Sequence, residues 1–78
     1  MHEVVLYTKR DCSLCDEAKE EIRAARARIE FAYREVDIED DAATFEAHRY
    51  DIPVVEVDGK RAFKYRLTAQ SLVARLSR

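Results

Sequence analysis

The chain has 78 residues, 47% apolar, 38% charged and 9% aromatic; a chain this short buries only about 60% of its unfolded surface, so one domain over residues 1–78 is expected. With 14 Lys and Arg against 16 Asp and Glu the formal net charge is −2, which argues against a strongly basic nucleic-acid binder, while the apolar content argues against disorder. The two cysteines, Cys12 and Cys15, stand too close together to staple distant parts of a secreted mini-protein.

Glu3 to Thr8 is a short, nearly continuous apolar run rich in β-branched and aromatic residues, which suits a central strand covered on both faces. It falls well short of the roughly 20 residues that cross a bilayer. No basic segment followed by an apolar stretch opens the chain, so the expected address is the cytoplasm, without a membrane partner and with reduced thiols. From Ser13 onward Cys15, Ala18, Ile22, Ala25 and Ile29 form one helical stripe. Asp16, Glu17, Glu20 and Glu21 precede Arg23, Arg26 and Arg28, the order that the helix dipole favours.

Phe31 to Ile38 reads as a second strand. The acidic run Glu39-Asp40-Asp41 before Ala42, Ala43 and Phe45 reads as a helix start rather than a metal site. That helix should end near His48. Val54 to Val57 and Arg61 to Phe63 flank Asp58-Gly59, a hairpin signal because a type I′ turn needs positive φ at both central positions. Thr68 can cap a last helix with the stripe Ala69, Leu72, Val73 and Leu76, with Leu67 placed to staple against Leu72. The order is β-α-β-α-β-β-α. A strand-helix-strand unit requires a right-handed parallel crossover and the hairpin adds two antiparallel strands, which predicts an α/β fold with a mixed four-stranded sheet flanked by helices.

The first helix then starts at the carboxyl end of the first strand, where open α/β sheets place their chemistry. In Cys12-Ser13-Leu14-Cys15 the thiols are close enough to form and open an intramolecular disulfide. Unpaired N–H groups at the helix N-terminus favour negative charge on Cys12. Lys9 and Arg10 add to that and Asp11 and Asp16 oppose it. Cys15, on the apolar stripe, is expected to be more buried. Cys12 is thus the candidate nucleophile and Cys15 the resolving thiol. A zinc site is not expected, because only His2 and His48 could complete it and their spacing matches no finger or ribbon. A pair of ordinary buried cysteines is the plainer alternative.

The segment Leu6-Tyr7-Thr8-Lys9-Arg10-Asp11-Cys12-Ser13-Leu14-Cys15, followed by Asp16-Glu17-Ala18-Lys19, resembles the active-site segment of the glutaredoxin-like branch of the thioredoxin superfamily. Tyr50-Asp51-Ile52-Pro53-Val54-Val55 and Val57-Asp58-Gly59-Lys60 resemble its proline loop and hairpin. The resemblance spans almost the whole chain and implies a thioredoxin-like fold and thiol–disulfide oxidoreductase activity in electron transport. It implies a cis peptide at Pro53, with backbone groups of Ile52 left unpaired for an extended substrate. The implied substrate-binding residues are Lys9, Ser13, Leu14, Ile52 and Pro53, with Lys9 matching a lysine that clamps a glutathione carboxylate. No tightly bound cofactor is implied. Glutathione enters as a co-substrate, a disulfide-containing protein or small thiol as substrate, and a glutathione or thioredoxin-reductase type system as reductant, all acting on a monomer.

One departure stands out. Glutaredoxins usually carry a Gly-Gly turn and an acidic residue around the start of the last helix, whereas this chain has Lys64-Tyr65-Arg66-Leu67-Thr68-Ala69-Gln70 and no glycine after Gly59. Residues 59–78 hold Lys60, Arg61, Lys64, Arg66, Arg75 and Arg78 and no acidic residue, which reads as protection of an edge strand rather than as a nucleic-acid surface. A thioredoxin-fold binding module, a thiol-ligated iron–sulfur carrier and a redox sensor are the other functional classes open to this pattern.

Overall fold

In the computed structural model, which describes residues 1–78, the elements follow in the order β1 (Glu3–Thr8), α1 (Ser13–Arg26), β2 (Ala32–Asp37), a short 3₁₀ turn (Ile38–Asp40), α2 (Ala42–His48), β3 (Val54–Val57), β4 (Lys60–Lys64) and α3 (Ala69–Leu76). The sheet order is β2-β1-β3-β4. β1 runs parallel to β2, with Glu3 opposite Ala32 and Thr8 opposite Asp37, and antiparallel to β3, with Tyr7 opposite Val54. β4 returns antiparallel to β3, and Ala62 bulges between Arg61 and Phe63. The mixed four-stranded sheet matches the expected one, and no helix is long and apolar enough to cross a membrane.

Alternation along the strands divides the side chains between two unequal faces. Val4 and Leu6 of β1 and Val55 and Val57 of β3 pack with Ala18, Ile22 and Ala25 of α1, Leu72 and Leu76 of α3, and Phe31 and Leu67. The opposite face is covered more thinly. There Tyr7 stacks on the His48 ring at 4.3 Å between centroids and donates to Glu56 at 3.1 Å, while α2 itself has no buried residue. Phe31 and Ile38 lie just outside β2 rather than within it, and both are buried.

α1 stops at Arg26, so Ile29 lies beyond the regular helix; its N–H still reaches Ala25 O at 3.0 Å. Of the acidic run, Asp41 caps α2, accepting from Thr44 N at 2.9 Å, whereas Glu39 and Asp40 belong to the 3₁₀ turn, which Asp37 caps from outside the run. At the hairpin Asp58 and Gly59 have φ of 52° and 83°, as a type I′ turn demands. Asp58 also accepts from Glu3 N at 2.9 Å, tying the turn to the start of β1.

Candidate functional site

The carboxyl end of β1 delivers the chain into a tight turn whose Asp11 has a φ of 55°, a conformation Asp tolerates better than most residues. Cys12 follows in extended conformation as the N-cap of α1. Its Sγ accepts from Cys15 N at 3.3 Å, and its carbonyl accepts from Asp16 N at 3.1 Å. A sulfur takes the place that an oxygen fills in most helix caps, on donors that otherwise stay orphaned. Both cysteines are free thiols, Cys12 half-buried and Cys15 fully buried.

Burial pushes the Cys15 thiol up, and its hydrogen bond with Cys12 adds to the rise. The Thr8 hydroxyl and the Lys9 backbone N–H work against it. Thr8 is only 6% exposed and its hydroxyl has no partner within hydrogen-bonding geometry, yet it lies near enough to act on charge at Cys15. Nothing in the local sequence marks Thr8 for this role. It becomes visible only once β1 and α1 are packed together.

The Ile52–Pro53 peptide is cis. Carrying the β1–β3 register one step past Tyr7 and Val54 sets Pro53 across from Thr8, so the proline loop lies at the same end of the sheet as the thiols. Neither backbone group of Ile52 takes part in a backbone hydrogen bond, whereas Pro53 O accepts from Tyr65 N at 2.8 Å. Ser13 is exposed at the first position of α1, and Leu14 is half-buried.

Leu14 lines a groove of about 350 Å³ with Glu17, Glu21, Tyr65, Arg66 and Thr68 among its walls. The groove runs between α1 and the approach to α3. Lys9 lines a different recess, with Thr8, Arg10, Lys19, Glu35 and Asp37, on the β2 side. The fold therefore separates Lys9 from Leu14 onto two flanks of the cysteine pair. Although the start of α3 brings no carboxylate of its own, α1 supplies one: Glu21 accepts from Ala69 N at 2.8 Å. Arg66 is engaged by Glu17 at 3.3 Å. No three His, Cys, Asp or Glu side chains are grouped so as to hold a metal ion.

The family model of the Glutaredoxin-like domain (DUF836) matches residues 3–77. The X-ray structure of protein XcR50 from X. campestris is similar over 95% of each chain, with 36% identity and a TM-score of 0.80. A mutant of the thioredoxin-like protein BC3987 covers 95% of this chain and 94% of its own, at 25% identity and a TM-score of 0.67. Thioredoxin 1 from Thermosipho africanus shares the fold at 9% identity, with a TM-score of 0.67 over 96% of this chain and 90% of its own. The architecture is thioredoxin-like.

Proposed function

The chain belongs to the glutaredoxin-like domain family, and from that membership we propose that it is a small dithiol–disulfide oxidoreductase working through Cys12 and Cys15. One observation carries the proposal above all: Cys12 caps α1 with its own sulfur, directly beside a buried second thiol. A thiolate attacks a disulfide, and the sulfur at the cap already accepts a backbone hydrogen bond.

In the first step the Cys12 thiolate attacks one sulfur of the substrate disulfide. A mixed disulfide forms and one substrate thiolate leaves. Cys15, having lost its proton, then attacks Cys12 Sγ, which closes the Cys12–Cys15 disulfide and expels the second substrate thiolate. Two electrons pass to the substrate, and its two thiolates take up the protons that the cysteines released. Two thiols of a glutathione system, which leave as one disulfide, or one dithiol of a thioredoxin-reductase type system reverse the exchange and restore the pair.

The substrate is the disulfide of a protein or a small thiol. Ile52 contributes unpaired backbone groups, Pro53 the turn that presents them, Ser13 and Leu14 the floor beside Cys12, and Lys9 a cation for an anionic thiol on the β2 flank.

Insulin reduction with dithiothreitol as donor tests this directly. The wild type should reduce insulin; Cys12→Ser should abolish turnover; Cys15→Ser, pre-reduced and mixed with insulin without dithiothreitol, should accumulate the mixed disulfide, detectable by mass. Retained turnover in Cys12→Ser, or the absence of any wild-type activity, would overturn the proposal.

A further inference from the structure

β4 ends at Lys64, and the next residue, Tyr65, has a φ of 66°. Arg66 N–H bonds back to Lys64 O at 2.8 Å, which closes a three-residue γ-turn of the rarer, positive-φ kind. Glycine is the residue suited to that conformation, and a bulky aromatic there is an outlier. The surroundings hold it in place. Tyr65 N–H donates to Pro53 O at 2.8 Å and its hydroxyl donates to Asp51 at 3.3 Å. The other Asp51 oxygen accepts from Arg61 at 3.2 Å. Main chain and hydroxyl are thus both fastened to residues 51–53, the loop that carries the cis proline.

The ring is left where a substrate would meet it. Tyr65 is 43% exposed and forms a wall of the groove whose floor includes Leu14, the residue before Cys15. A side chain kept at an unfavourable backbone conformation, tethered at its hydroxyl and still open to solvent points to a functional constraint. Exposed tyrosines also make effective binding anchors, because they offer a large contact area with few freedoms to lose.

We propose that Tyr65 is a specificity-determining residue that favours disulfides carried on an extended polypeptide over small disulfides, its ring bracing the segment beside the substrate cysteine. This rests on the disulfide exchange proposed for Cys12 and Cys15. The test compares insulin with bis(2-hydroxyethyl) disulfide for the wild type, Tyr65→Gly and Tyr65→Phe. Glycine suits the positive φ, so Tyr65→Gly removes the ring without straining the turn. The ratio of kcat/KM for insulin to that for the small disulfide should fall about tenfold, the scale of losing one aromatic anchor, and the fall should appear in the insulin KM. Tyr65→Phe keeps the ring and loses the Asp51 tether, and should fall between the two. An unchanged ratio in Tyr65→Gly, or a loss confined to kcat for both substrates, would overturn the assignment while leaving the exchange intact; a wild type inactive on both disulfides would overturn the exchange and the assignment together.

Discussion

Cys12 and Cys15 have the same chemistry and opposite surroundings, one on the open end of a helix and the other with 0% exposure. Burial raises the Cys15 thiol, so in the reduced protein Cys15 keeps its proton at pH values where an unfolded chain gives it up. The native state then binds more protons across that window, and its stability falls as pH rises from the ordinary thiol range through the raised value. The resolving step should accelerate over the same interval. Thr8→Val isolates one contribution: it removes a buried, unpaired hydroxyl at little cost in shape, so stability should hold or rise by about 1 kcal/mol. Cys15 should titrate still higher, measured by thiolate absorbance in a Cys12→Ser background; an unshifted titration would remove Thr8 from the account. The cysteine pair was legible in the sequence because its spacing is local. Thr8 was not, since its relation to Cys15 depends on how a strand packs against a helix.

Helix ends show the same division. Thr68 was readable as a cap, and the structure gives the full reciprocal arrangement, with Ser71 N donating to Thr68 Oγ1 at 3.0 Å and Thr68 N to Ser71 Oγ at 3.1 Å. Thr68→Ala should cost about 1–2 kcal/mol, measured as a shift in the denaturant midpoint at constant slope. A loss below a few tenths would mean that Glu21 alone suffices at this terminus. The Asp58-Gly59 hairpin was equally plain from its dipeptide. What could not be read was any partnership across elements: Glu21 on Ala69 N, Arg61 and Tyr65 on Asp51, or the separation of Lys9 and Leu14 onto different flanks. Tyr65 is the sharpest case. A tyrosine carries no local signal for positive φ, and the contacts that hold it there come from a loop on another strand.

At the scale of the whole molecule the β-α-β-α-β-β-α order sufficed for the architecture, because few topologies satisfy a parallel crossover followed by a hairpin. The unequal thickness of the two sheet faces was not legible, since the residues that start and end α2 do not say how deeply it packs. It carries no buried residue, whereas α1 alone buries Cys15, Ala18, Ile22 and Ala25. Local opening draws on such lightly packed units, independently of global unfolding. In native-state hydrogen exchange the α2 amides, Phe45 among them, should exchange at least about tenfold faster than those of Ile22 and Ala25 in α1, with weaker dependence on denaturant. Equal protection would show that the molecule opens only as one unit. Asp51 N–H bonds to His48 O at 2.9 Å, while the Asp51 carboxylate takes Arg61 and Tyr65: opening of α2 would release one side of the residue that leads into Ile52 and Pro53 and leave its other side clasped to β4 and the turn after it.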